Sequence, residues 1–458
     1  MKKGNSSKPA VTILVLAGFG LMVIGCSMKG PMAPTANVNP SLVATPGLTT
    51  TPLTTVASVA SVNIPDANLL AAVQNVLIQN GIITDKTAPL SSADLATLTS
   101  LTIAYAGIAN LEGLEYCTGL TSLNLSQNSL SDLSPITHLS GLINLNLSGN
   151  SQISDISALS GLTNLHSLNL SKDYVSNLAP LSGMSQLTSL NLSDNAVIDL
   201  SPLAHLAALQ ILFIYNNNLS VLPDLSGMVS LTYLDVSENS LQNVSPITSL
   251  ASIQTLSLDD NQISVLPSLA GLKHLTGICI NSNRITDMSP VTSVVSLQWL
   301  SMESNQLTVV PNLSGLVNLN TLDLCHNQIT DISGLAWMTS LNYLFLGNET
   351  SLNIINPLVT AYRYGSFRQG GDIDLMNDPL GEASAGSVIS TLTAEGVEVD
   401  YNATVQTKVQ MNKSSQLTRE QFQKQIKSLR GQESQNTLQI IGAAKRGSPQ
   451  VSPSRAIR

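Results

Sequence analysis

From Leu98 onward the chain restates one pattern, Leu-x-x-Leu-x-Leu-x-x-Asn, at a nearly fixed interval, and no other feature narrows its folding options so far. Units begin at Leu98, Leu120, Leu142, Leu165, Leu187, Leu209, Leu231, Ile253, Leu275, Leu297, Leu319 and Leu341, with a step of 22 residues broken once, by a step of 23 after Leu142. In the unit at 231, Leu231, Leu234, Val236, Leu241, Val244, Ile247 and Leu250 are apolar, and nearly everything between them is small or polar. A coil this short has no interior in which to bury so many apolar side chains. Stacked coils share one continuous core, so twelve consistent units specify a solenoid. Charged residues make up only 11% of the chain and aromatics 3%, a composition set by the repeat and far from that of an average soluble enzyme.

The Leu-x-Leu at the centre of each unit alternates, so it reads as a short strand with one face in the core and the other open. Strands one coil apart run parallel. The expected architecture is an α/β repeat solenoid with a concave parallel β-sheet and turns or 3-10 segments on the convex side. Eight residues into their units stand Asn128, Asn150, Asn195, Asn217, Asn239, Asn261, Asn283, Asn305 and Asn327. An amide side chain carries donors and an acceptor, so a stacked column of them can satisfy turn backbone in neighbouring coils. That structural role outweighs a row of ligand-binding amides, because buried polar groups must be paired. Asp173 replaces Asn beside the 23-residue step, and local irregularity is expected there. A second period of 44 residues marks the far side of the coil. Val221-Leu222-Pro223-Asp224-Leu225, Val265-Leu266-Pro267-Ser268-Leu269 and Val309-Val310-Pro311-Asn312-Leu313 alternate with Val244-Ser245-Pro246-Ile247, Met288-Ser289-Pro290-Val291 and Ile332-Ser333-Gly334-Leu335.

The ends of an open solenoid expose a hydrophobic layer and need caps. Residues 63–97 read as a helical N-terminal cap: Pro65-Asp66 opens a stretch with Leu69, Leu70, Val73, Val76 and Leu77 at helical spacing, followed by Gly81. Ser92-Ala93-Asp94-Leu95 suits a second short turn. The repeats fill 98–346. Residues 347–401 read as an irregular insert and a C-terminal cap, with a strand at Ile373-Asp374-Leu375 and then a helix and closing strand within Ser387–Tyr401. The 22-residue step, the repeat core, the Ser-Pro and Leu-Pro turns and the opening Ile64-Pro65-Asp66-Ala67-Asn68-Leu69 resemble the internalin-type class of bacterial leucine-rich-repeat proteins, over about residues 63–401. The resemblance implies a right-handed leucine-rich-repeat superhelix and recognition of a protein, although this class binds many unrelated partners.

Residues 1–25 carry Lys2, Lys3 and Lys8, then the apolar run Val11–Ile24, too short for a confident membrane span and suited to an export signal. Val23-Ile24-Gly25-Cys26 resembles a bacterial lipobox, which implies lipid modification at Cys26. Acyl chains such as palmitate on that residue would anchor the protein in the cell envelope. With Ser27 after the Cys, the resemblance favours the outer membrane and cell surface in a host with two membranes. Residues 26–62 are rich in Pro, Thr, Ala and Ser and read as a flexible stalk. The tail 402–458 holds ten Lys or Arg against two Glu, a net +8, and reads as a basic, largely disordered end with one possible amphipathic helix through Leu417, Phe422, Ile426 and Leu429. The region between is strongly acidic, which argues against nucleic acid as a partner. Cys117, Cys279 and Cys325 form no disulfide framework, and a monomer is expected.

Twelve strands about 4.8 Å apart make a face on the order of 55 Å long. Its N-terminal rungs are a neutral lawn of Ser122, Asn124, Asn144, Asn146, Ser167 and Asn169. From the sixth unit the character changes. Ile211, Phe213 and Tyr215 appear together, then Tyr233, Asp235 and Glu238, then Asp259 and Asp260, Trp299 and Glu303, Asp323, and finally Tyr343 and Phe345. Aromatics interleaved with carboxylates suit a basic or amphipathic protein surface, or sugar rings, and clustered exposed aromatics mark interaction sites. The leading expectation is a non-catalytic envelope protein that binds a protein or glycan through this face. A structural envelope scaffold or tether is the alternative. A metal-dependent enzyme comes last: His326 near Asp323, Glu303, Cys325 and Cys279 matches no recognised zinc spacing, and no nucleophile elbow, P-loop or dinucleotide fingerprint is present, so no catalytic residue, metal or cofactor is assigned.

Overall fold

The computed structural model describes residues 61–401, apart from 350, 369 and 381. The export segment, Cys26, all but the last two residues of the stalk and the basic tail lie outside the described residues. One sheet of fourteen parallel strands runs in strict chain order. The first twelve strands, one per repeat, extend from β1 (Ser100–Thr102) to β12 (Tyr343–Phe345), and each is three residues long. Register follows the repeat, with Ser122 paired to Asn144 and, across the longer step, Asn144 paired to Ser167. The strands therefore stay aligned, and the extra residue falls in the turn after Asn150. There Ser151 and Gln152 precede Ile153, whereas Ser129 alone separates Asn128 from Leu130.

Behind the sheet the apolar positions stack into one core. None of the seven apolar side chains of the unit at 231 is more than 1% exposed. Each fully buried Leu contributes about 1.5–3 kcal/mol of transfer free energy, and a coil realises it only against its neighbours. The Asn column joins those neighbours. Asn239 Oδ1 accepts from Leu219 N in the preceding coil at 2.9 Å, and its Nδ2 donates to Ile214 O and Val236 O, both at 3.1 Å. Asn128, Asn195, Asn217, Asn261, Asn305 and Asn327 repeat this bridge. The residue just before the ladder position has positive φ in coil after coil, for example Gln127, Lys172, Asp194, Asn216, Glu238 and Asp260, which turns the chain sharply out of the strand.

The convex side carries the 44-residue period. Where Pro stands two residues after the buried apolar position, as in Leu200-Ser201-Pro202 or Val244-Ser245-Pro246, it lies in the first turn of a 3-10 helix and its fixed φ suits that place. In Leu222-Pro223, Leu266-Pro267 and Val310-Pro311 it follows the buried residue directly. The residue before a proline is pushed into extended backbone, and those three coils have no 3-10 turn. A one-residue shift of proline thus selects the form of the outer segment.

At the N-terminal end α1 (Ala67–Gln79) and α2 (Ser92–Ala96) cover the first coil. Asp66 caps α1, accepting from Asn68 N and Leu69 N, while its other oxygen accepts from Ala109 N at 3.0 Å and so ties the cap to the first repeat. Ser91 and Asp94 form a capping box on α2. At the other end the segment read as irregular contains α3 (Asn356–Tyr364), with Pro357 in its first turn and Leu358 and Ala361 buried. β13 (Asp372–Leu375), α4 (Glu382–Ala394) and β14 (Glu398–Tyr401) follow, and both strands extend the sheet.

Candidate functional site

On the open face each strand presents two side chains, two and four residues after the unit start, and the following turn presents positions six and seven. The structure separates these positions by burial. Ile211, Tyr215, Tyr233, Trp299, Glu303 and Tyr343 keep partial exposure, and Glu238 and Asp260 are exposed. Phe213, Asp235, Asp259, Asp323 and Phe345, expected to face outward, are buried. Phe213 lies against the Tyr233 ring of the next rung, with centroids 4.7 Å apart. Phe345 does not close the row, because Asp374 of β13 pairs beside it on the side away from Asp323.

The carboxylates are buried for a different reason. Asn124, Asn146, Asn169 and Asn191 each accept a hydrogen bond from the backbone N–H two residues on, at 2.9–3.0 Å. Asp235 and Asp323 occupy the same position and do the same, toward Ser237 N at 3.0 Å and Cys325 N at 3.2 Å. This is a second polar column at the strand ends, of the Asx-turn kind. Where Cys279 and Ser301 interrupt it, the previous coil supplies the acceptor. Asp259 Oδ1 takes Asn281 N at 2.7 Å, and Asn281 Oδ1 takes Glu303 N at 2.8 Å. The strand-end carboxylates therefore serve the turn first, and the acidity open to a partner comes from Glu238, Asp260 and Glu303.

One residue of the face was not picked out by its chemistry. Gly277, in β9 (Gly277–Cys279), precedes Trp299, the first residue of β10 (Trp299–Ser301), by one rung. A Cβ on Gly277 would lie 1.9 Å from Trp299 Cε2, so the indole rests across the glycine. Absence of a side chain is the device that seats this ring. The legible signal was a Gly one repeat before a Trp at the same strand position.

A family profile described as Leucine Rich repeats (2 copies) matches residues 295–337. Among solved structures the chain is similar to an internalin (InlF) of Listeria monocytogenes, with a TM-score of 0.57 and 28% identity over 68% of this chain and 98% of that one. A leucine-rich-repeat protein of Leptospira interrogans is also similar in fold, with a TM-score of 0.47 and 19% identity over 68% of this chain and 97% of that one. No curated protein matches the chain in sequence. The chain folds as a leucine-rich-repeat solenoid.

Within the leucine-rich-repeat body, the His326 cluster does not assemble. His326 Nε2 is 3.9 Å from Glu303 Oε1, while Cys279 and Cys325 are buried. Among the described residues no group of three or more His, Cys, Asp or Glu side chains is placed to hold a metal ion. Cys117 is a core residue whose thiol is pushed up to about 12 by burial, reinforced by the Glu115 charge, so it packs as a small hydrophobe. Two buried carboxyls and one half-buried one stand out elsewhere. Burial raises Asp173 to about 8, against one lowering hydrogen bond from Asn150 N. Glu349, at the ladder position after Asn327, is raised by burial to about 7 although it accepts from Ile329 N and Asn327 N. Asp378 beside it is raised to about 8, again chiefly by burial.

Proposed function

We propose that this solenoid is a non-catalytic binding protein of the bacterial cell envelope that recognises a protein partner through the C-terminal half of its concave sheet. The observation that carries this reading is the row Ile211, Tyr215, Tyr233, Trp299 and Tyr343, partly exposed on one face and edged by Glu238, Asp260 and Glu303. Rigid aromatics over buried partners, bordered by charge, are the composition of interface centres. The acidic edge favours a basic partner surface, and electrostatic steering would speed its approach. The likeness to an internalin supports a recognition role, and the export segment and Cys26 support lipid anchorage in the envelope.

The test is a paired one. Photo-crosslinkable residues are placed at Tyr233 and at Asn144, and the protein is exposed to intact cells and extracellular fluid from its habitat. Adducts to protein from position 233, absent from 144, are expected. A Cys26→Ser variant should appear in the medium instead of the membrane fraction. Retention of that variant in the membrane would rule out the lipid anchor.

A further inference from the structure

Beside the single break in the repeat, a polar cleft lies along the turns that follow three successive strands. It has a volume of about 280 Å³ and is lined by Asp173, Tyr174, Asp194, Asn195, Ala196, Asn216 and Asn218. The extra residue between Asn150 and Ile153 changes the hydrogen bonding of its Asp173 wall. In an ordinary coil the ladder side chain accepts from the N–H twenty residues earlier, as Asn195 does from Val175 N. Here Ile153 N has turned to Asn150 O within its own coil, and Asp173 accepts from Asn150 N at 2.6 Å instead. Its second oxygen, Oδ2, is buried and has no hydrogen-bond partner among the described residues, although Asp173 as a whole is only 5% exposed. A regular ladder Asn would have donated to carbonyls from that atom. An unsatisfied buried oxygen is costly to keep, and Asp173 forms part of the wall of the cleft.

The other walls add an aromatic ring and paired polar groups. Tyr174 is 67% exposed, and the same position in the next two coils is Ala196 and Asn218. Asp194 and Asn216 stand at the same turn position of adjacent coils, and Asn216 Nδ2 donates to Asp194 Oδ1 at 2.8 Å. The cleft thus combines an open aromatic face with a close-set group of amides and carboxyls, and no cation lines it.

We infer that this cleft is a second binding site, for a neutral pyranose ring on a glycan. A sugar offers apolar C–H groups to an aromatic face, and its vicinal hydroxyls each donate and accept, matching the paired amide and carboxyl groups of Asp194, Asn216 and Asn218. Burial raises Asp173 to about 8, so this wall adds little charge to the cleft at neutral pH. The volume falls at the small end of ligand sites, which suits one ring and not an extended chain. An anionic sugar would meet the Asp194 carboxylate among lining residues that include no cation.

The test titrates the full-length protein with the methyl glycosides of glucose, galactose, mannose and N-acetylglucosamine, read by saturation-transfer NMR and calorimetry. At least one should bind, and Tyr174→Ala and Asn218→Ala should each weaken it by about tenfold or more. Trp299→Ala should leave it unchanged, so failure here is distinct from failure of the protein-binding face. Thermal melting of each variant checks that the coil stays folded. Binding of none of the four glycosides, or binding indifferent to Tyr174→Ala in a folded variant, would overturn the site. Preference for methylguanidine or an alkylamine over every glycoside would assign the cleft to a basic side chain and overturn the sugar.

Discussion

The two halves of the sheet share one backbone and one core yet present different chemistry. Rungs two to five show Ser or Asn at both outward strand positions, while rungs six to twelve bring in Ile211, Phe213, Tyr233, Trp299, Tyr343 and Phe345. Leu123, Leu145, Leu234 and Leu300 are equally buried behind both halves. The fold is written on alternate residues, and the intervening ones are free to vary except where they cap a turn. Even that exception is shared, since Asn124 and Asn146 cap in the first half as Asp235 and Asp323 do in the second. The difference between the halves therefore lies in the surface they present and not in the core behind it.

The sharpest way to break that comparison is in the core. Leu145→Ala and Leu234→Ala should each destabilise by about 2–5 kcal/mol, by similar amounts, in chemical denaturation. A large gap between them would show that the halves differ in more than their faces. Next comes the ladder. Asn239→Ala strands Leu219 N, Ile214 O and Val236 O, and a loss of about 3 kcal/mol is expected, again matched by Asn217→Ala in the neighbouring coil. At the surface the halves should part: Tyr233→Ala should weaken partner binding by about 2 kcal/mol and Asn144→Ala by less than about 0.5, with little change in melting for either.

Two smaller effects refine the picture. Gly277→Val removes the seat of Trp299, so the indole fluorescence should shift toward that of a more solvated ring while the melting temperature changes little. The last concerns pH. Asp173 has a folded pKa of about 8, above the ordinary carboxyl value near 3.8, because burial disfavours its charged form. Stability from this group is full below the unfolded value, falls as pH rises, and is lost on passing about 8. Asp173→Asn should flatten that part of the slope measured by melting between acid and mildly alkaline pH. The remainder should trace to Glu349 and Asp378, which shift in the same direction at the C-terminal end.

Much of this was legible in the chain. Leu-x-x-Leu-x-Leu fixes strand, core and coil spacing together, because a period of 22 residues leaves no other arrangement that buries all its leucines. The 44-residue alternation was visible, but its meaning was not: a proline's effect depends on the residue before it, and only the backbone reveals which coils form a 3-10 turn. Helix α3 was hidden because nine residues with just two buried side chains give too little periodicity to detect. On the face, alternation correctly separated core from open side, but it treats all outward residues alike. It could not foresee that Asp235 folds back onto Ser237 N, that Tyr233 covers Phe213, or that β13 pairs beside Phe345. Burial there depends on neighbours 22 residues away and on the end of the sheet, which a pattern within one unit does not encode.

The most direct measurement compares binding of one partner, identified by crosslinking from Tyr233, to the wild-type solenoid and to two double variants. One is Tyr233→Ala with Trp299→Ala, and the other is Asn144→Ala with Ser167→Ala. A loss of about a hundredfold or more in the first and less than about threefold in the second is the expected result. Equal losses, or unchanged affinity in the aromatic pair with both variants folded, would contradict a binding site on the C-terminal half of the sheet.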